Sequence, residues 1–282
     1  MTSDTAAAGP RDEAGQPTSE TSPVILETSP SGVATVRINR PDAMNALDLD
    51  TKTLLRDTLR VVADDPSVRC VVLTGTGRAF CVGQDLKQHI EFLQSGDASL
   101  GTTVVEHYNP IAELLATMDK PVVAALNGVV AGAGAAFALA ADFRILVDTA
   151  GFNLAFAGIA LSCDSGSSWW LPRVVGPARA KELLLMPRTI PAQECLELGL
   201  VTRVVAPEHF EATVAELAER LAAGPTLAYA SIRQSVEYAL GHSLSETLAN
   251  EASLMEFTGG TEDHRAAVGA FIAKERPVFH GR

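Results

Sequence analysis

The chain is short of positive charge: Lys plus Arg number 22 against 34 Asp plus Glu, and 22 − 34 = −12 with histidine neutral. A nucleic-acid or anionic-membrane footprint would have to be a local basic patch working against that field, so neither partner is expected. Cysteine is also sparse. Cys70, Cys81, Cys163 and Cys195 show no C-x-x-C spacing, and the six histidines show no H-E-x-x-H or paired-ligand pattern. Reduced thiols in a cytoplasmic protein without a metal site is the reading these patterns give. A membrane span needs about 20 apolar residues without a turn. The longest apolar stretch, around Val122 to Ala141, is broken by Asn127, Gly128, Gly132 and Gly134. The N-terminus has no basic start followed by an apolar run, so it does not resemble a secretory signal.

What is present is apolar mass. Of the 282 residues, 47% are hydrophobic, enough for one large core or two modest domains. The first 28 residues hold Arg11 against Asp4, Asp12, Glu13, Glu20 and Glu27, or 1 − 5 = −4, among Ser, Thr, Ala, Gly and Pro. Such a stretch buries too little to offset its ordering entropy. Residues 1–23 are therefore expected to be a disordered arm, 24–206 an α/β core and 207–282 a C-terminal helical region.

Val33–Asn39 alternates as a strand, and Pro41 ends it. Asp48 or Asp50 can cap a helix carrying Leu54, Leu55, Leu59 and Val62. Cys70–Gly75, Pro121–Leu126 and Phe143–Val147 are short continuous apolar runs suited to buried parallel strands. A helical stretch spans about Leu100 to Met118, where Glu106 and His107 read as helix-surface residues. Ala131 to Ala141 reads as a small-residue helix that is apolar all round and hence interior. Strands alternating with helices predict an α/β layered core. From Pro207 onward only helical periodicity remains.

Gly132-Ala133-Gly134 after a strand suggests a dinucleotide fingerprint, but position 137 is Phe137. Asp148 also comes earlier than the usual spacing of about 20 residues. The segment instead joins Asn39-Arg40-Pro41-Asp42-Ala43-Met44-Asn45-Ala46-Leu47, Gly77 to Leu86 and Lys120 to Gly128. Together with the ending Arg276-Pro277-Val278-Phe279-His280-Gly281-Arg282, these segments resemble the crotonase superfamily, the enoyl-CoA hydratases and isomerases. The resemblance covers about residues 24 to 282. It implies an α/β, crotonase-like spiral of ββα units with a C-terminal helical trimerisation region, and a homotrimer or dimer of trimers.

The same resemblance implies an acyl-CoA thioester substrate, with no cofactor beyond the CoA of the substrate itself. It places an oxyanion hole at the backbone N–H groups of Gln84 and Ala133. Ala133 lies at a helix start, where N–H groups lack intrahelical partners and the dipole favours negative charge. CoA contacts carry over to Ala43, Met44, Cys81, Gly83, Gln84, Asp85 and Leu86, with Lys274 as a phosphate partner or, equally, an exposed helix lysine. Family hydratases use two glutamates, and the matching positions here are Ala136 and Phe156. One acid remains nearby, Asp164, in a stretch resembling the branch that includes phenylacetate-pathway ring-opening isomerases and some double-bond isomerases. By that resemblance Asp164 is the proton shuttle of an enoyl-CoA isomerase. A helix N-cap is the other reading of Asp164. Trp169 and Trp170 read as packing residues. The competing functions are a hydratase using Asp164 alone and a non-catalytic acyl-CoA-binding subunit.

Overall fold

A computed structural model of the chain describes residues 21–96 and 100–282. Most of the expected N-terminal arm lies outside the described residues. Its last residues are fastened to the core: Pro23 O accepts from Asn39 N at 2.8 Å. The strand β1 (Val24–Thr28) follows immediately and pairs antiparallel with β2 (Val33–Ile38). Helix α1 (Leu49–Asp64) starts where Asp48 accepts from Thr51 N at 2.9 Å, an N-cap worth about 1 kcal/mol. Its Leu55, Leu59 and Val62 are fully buried.

The chain then makes three passes of one unit, a long strand, a short strand and a helix. The first is β3 (Cys70–Gly75), β4 (Ala79–Cys81) and α2 (Leu86–Ser95). A connection of α3 (Leu100–Thr103), a π-helical turn (Val104–Tyr108) and α4 (Asn109–Thr117) leads to the second, β5 (Val122–Leu126), β6 (Val129–Ala131) and α5 (Ala133–Ala140). The third is β7 (Phe143–Val147), β8 (Gly151–Asn153) and α6 (Ser167–Val175). After α7 (Pro177–Leu185), β9 (Ile190–Pro191), α8 (Ala192–Glu197) and β10 (Arg203–Val205), the chain is helical. It continues through α9 (Pro207–Ala222), α10 (Thr226–Ala239), α11 (Leu244–Gly259) and α12 (Glu262–Ala273).

The long strands form a sheet in the order β1-β2-β3-β5-β7-β10, parallel from β2 onward, and the short ones a second sheet in the order β4-β6-β8-β9. This is the ββα spiral that the resemblance implies. The period of two along each buried strand splits the core. Val71 and Leu73 of β3 and Val122, Ala124 and Leu126 of β5 face one cluster, while Cys70, Val72, Val123 and Ala125 face another. The second cluster is closed by Phe210, Val214, Leu217 and Leu221, so α9 belongs to the α/β core rather than to a separate helical layer. Helix α5 is buried on every side, as its composition predicts, but begins at Ala133 rather than Ala131. The C-terminal tail folds back. Buried Asp263 accepts from His280 N at 2.7 Å and Gly281 N at 2.9 Å, and Arg69 donates to Phe279 O at 2.9 Å.

Candidate active site

Where the first and second units meet, β4 runs into α5 at a separation only glycine permits. A Cβ on Gly134 would lie 2.4 Å from Cys81 O, and one on Gly83 would lie 3.0 Å from Ala133 N. Gly83 also has φ +82, a left-handed conformation that side chains resist. This approach brings two backbone amides together.

Their directions follow from peptide geometry. The Gly83 carbonyl accepts from Leu47 N at 2.8 Å, and Asp85 N donates to Leu47 O. In a trans peptide the N–H points opposite to the preceding carbonyl, so Gln84 N–H is turned away from Leu47. Likewise the Gly132 carbonyl accepts from Ala135 and Ala136 N, so Ala133 N–H points out of the N-terminus of α5. Neither amide donates to a protein acceptor among the described residues. Two free N–H groups, one of them at the start of α5, form a ready-made receptor for a developing oxyanion.

Beside them lies a cleft of about 540 Å³. Of the residues singled out from the sequence, Ala43, Met44, Gln84, Asp85, Leu86, Ala133 and Asp164 line it. Cys81 is fully buried, its thiol pushed up to about 12 by burial, and does not line the cleft. Gly83 is likewise behind the wall. Lys274 caps the end of α12, exposed and outside the cleft.

Among the described residues three carboxylates line the cleft; Asp42 is exposed, and the other two are treated differently. Burial raises the pKa of Asp85, but Arg40 at 2.9 Å and the N–H groups of Gln88 and Lys87 outweigh it, leaving the acid below its ordinary value. Arg40 also pairs with Asp48 at 2.8 Å. Asp164 is half-buried with no ion pair among the described residues, and burial raises its pKa against a 2.8 Å hydrogen bond from Ser165 Oγ. It is not a helix cap. Ser165 and Gly166 both take left-handed φ, +54 and +84, so α6 begins after Gly166 and the Asp164 carboxylate is left in the cleft wall.

The two hydratase glutamate positions behave as their residue types dictate: Ala136 is fully buried inside α5, and Phe156 adds an apolar surface to the cleft. Trp170 packs on the core, whereas Trp169 is 40% exposed with Arg173 stacked 3.4 Å from its ring centre. His107 departs from the expected surface position and is buried, while Glu106 is exposed. Burial and nearby Lys52 both lower the His107 pKa. Sequence reading missed Lys52 and Tyr108. Tyr108 lines the cleft and donates to Gln84 Oε1 at 2.5 Å, and fully buried Lys52 reaches the same oxygen at 3.4 Å. Lys52 sits one turn before Leu55, on the apolar stripe of α1, and that position was the available signal.

Among the described residues no group of three or more His, Cys, Asp or Glu could hold a metal ion, and no helix is long and apolar enough to cross a membrane. Over residues 28–282 the sequence matches the enoyl-CoA hydratase/isomerase family. It is 38% identical to the 1,2-epoxyphenylacetyl-CoA isomerase of Escherichia coli K12, covering 92% of this chain and 98% of the relative. It is 33% identical to the crotonyl-CoA hydratase of Syntrophomonas wolfei, over 91% and 97% of the two chains. The crystal structure of an enoyl-CoA hydratase from Bacillus anthracis superimposes with a TM-score of 0.84 at 30% identity, covering 92% of this chain and all of that one. The glycine-tight junction, the paired free amides and this similarity along nearly the whole chain agree: the protein belongs to the enoyl-CoA hydratase/isomerase family, within the crotonase superfamily, and is an enzyme acting on acyl-CoA thioesters.

Proposed function

We propose that the enzyme isomerises an enoyl-CoA double bond, with Asp164 as the proton shuttle. The carrying observation is that Asp164 is the half-buried acid of the cleft with no cationic partner among the described residues, while the positions of the hydratase glutamates hold Ala136 and Phe156. In the reaction the Asp164 carboxylate takes a proton from the carbon alpha or gamma to the thioester carbonyl. The electron pair moves through the conjugated chain onto the thioester oxygen, giving a dienolate held by Gln84 and Ala133 N–H. Asp164, whose carboxyl proton exchanges with solvent, then delivers a proton to the other carbon, regenerating both the carboxylate and the carbonyl. No water is consumed, so one carboxylate suffices. An acid whose pKa is raised by burial exchanges a proton closer to neutral pH than an exposed aspartate does.

In this reading the CoA arm passes Ala43 and Met44 and runs along Gln84, Asp85 and Leu86, which line the cleft, while Cys81 and Gly83 support that segment from behind. Lys274 lies outside this cleft, and no role in it is proposed for that lysine. The name of the E. coli relative supports isomerisation of an acyl-CoA over hydration. The apolar side chains left exposed on the C-terminal helices, among them Leu248 at 55% and Phe271 at 84%, support a homotrimer or dimer of trimers. Sedimentation velocity tests that assembly, and a monomer would contradict it.

The activity is tested by incubating the purified protein with 2-enoyl-CoA and 3-enoyl-CoA thioesters and following products by mass spectrometry. Interconversion at constant mass is expected. A 3-hydroxyacyl-CoA, heavier by one water, would show a hydratase, and binding without any product would show a silent acyl-CoA-binding subunit.

A further inference from the structure

Two lysines are buried among the described residues, and they are satisfied in different ways. Lys120, 4% exposed, donates to Val62 O at 2.9 Å and Asp65 O at 2.8 Å, the carbonyls that end α1. Lys52, 1% exposed, has no ion pair within 4.0 Å among the described residues. Its Nζ reaches Gln84 Oε1 at 3.4 Å and lies 5.6 Å from the centre of the Tyr108 ring. A buried cation costs free energy unless something compensates for it, so its position calls for an explanation.

Tyr108 is equally specific. It ends the π-helical turn, where Asn109 N–H donates five residues back to Val104 O, and a π turn re-aims the side chains that follow it. The ring is 2% exposed, packed edge-on against Phe137 of α5, and its hydroxyl donates to the Gln84 Oε1 that Lys52 also reaches. Gln84 Nε2 donates in turn to Asp85 O at 3.3 Å. Every polar atom of the Gln84 side chain is thus engaged within the protein, and the rotation of residue 84 is fixed from three sides.

We propose that Lys52 and Tyr108 are positioning residues for the oxyanion hole: by clamping the Gln84 side chain they hold residue 84 in the orientation that the Leu47 hydrogen bonds give its backbone N–H, and the Lys52 ammonium adds positive potential near the developing enolate. The inference rests on the oxyanion-hole part of the proposed function and not on Asp164. Clamping from outside the hole matters because donors aimed at the developing charge act without reorganising. Lys52 carries this positive charge from a fully buried position, where water screens it weakly, with the Asp48 carboxylate as its charged neighbour. Neither residue needs to touch the substrate carbonyl.

The test uses Tyr108→Phe and Lys52→Met in the full-length enzyme, with Asp164→Asn as reference. Butyryl-CoA labelled with ¹³C at the thioester carbonyl is bound, and its C=O stretch is read by isotope-edited infrared spectroscopy. In the wild type the band is expected to move to lower frequency on binding, and in both clamp variants that displacement should shrink. In turnover the clamp variants should lose about 10- to 100-fold in kcat with KM unchanged. Asp164→Asn should keep the full carbonyl displacement while losing turnover, so the two ideas fail separately. Active Asp164→Asn would remove the shuttle and leave the clamp to be decided by the infrared band. Clamp variants with wild-type carbonyl displacement and kcat would overturn the inference. So would variants that lose affinity, kcat and thermal midpoint in parallel, since that pattern shows packing alone.

Discussion

Asp85 and Asp164 line the same cleft, yet one is bound on every side and the other is left nearly alone. Asp85 meets Arg40 and caps α2 through the N–H groups of Lys87 and Gln88, so its charge is fixed and its carboxylate is a poor proton acceptor. Asp164 has a single hydroxyl, that of Ser165, against the burial that raises its pKa. The difference separates a carboxylate that holds shape from one that can change protonation state. Structural acids are paired, and an unpaired buried acid beside two free amides is a candidate for chemistry.

Breaking the comparison at its reactive member should have the largest effect. Asp164→Asn keeps volume and removes the proton carrier, so kcat should fall by about 10²- to 10⁴-fold with acyl-CoA affinity retained, read by steady-state kinetics and calorimetric titration. Ala133→Pro should come next. Proline is well tolerated at the first helical position, so α5 should form, but the N–H is gone and kcat should drop about 10²-fold or more. Circular dichroism of that variant checks that the fold survives.

At the structural member the effect should fall on stability. Arg40→Met leaves Asp85 and Asp48 facing each other's field without their shared cation. A loss of about 1–3 kcal/mol in urea unfolding is expected, because a partly buried carboxylate loses its partner. Asp85 has a lowered folded pKa, so its stabilisation is present above the ordinary carboxylate range and is lost as pH falls through that lowered value. Asp164 has the opposite sign. Its folded pKa is raised, so stability falls as pH rises from the ordinary value through the raised one. Asp164→Asn should therefore melt a few degrees above the wild type at neutral pH, and the gap should close on acidification. A gap that stays constant with pH would mean that the burial of Asp164 has no energetic consequence.

The sequence shows some of this more clearly than the rest. Cys70–Gly75 and Phe143–Val147 were legible because strands buried on both faces are unbroken apolar runs. The short sheet was not, since Ala79–Cys81, Val129–Ala131 and Gly151–Asn153 are three residues each, too short for any periodicity to register. β1 escaped because Val24–Thr28 adjoins the acidic, Ser- and Thr-rich start and is only partly buried. At the site, Gln84 and Ala133 were reached through the resemblance carried by Gly77 to Leu86 and Gly132-Ala133-Gly134. Lys52 did not stand out, because a lysine on a helix usually marks its wet face, although its place one turn before Leu55 puts this one on the apolar stripe where packing encloses it. His107 was misplaced for a related reason, since a π turn rotates residues away from the face that a 3.6-residue period assigns them.

The most direct test of the account is turnover of an enoyl-CoA in D₂O, with the acyl chain read by NMR for both the wild type and Asp164→Asn. Deuterium is expected at the carbons alpha and gamma to the thioester in the wild-type product, without addition of solvent oxygen, and at neither carbon in the variant even though it binds the same thioester. Exchange that persists in Asp164→Asn, or a wild-type product that has gained water across the double bond, would contradict the assignment of Asp164 as the shuttle of an isomerase.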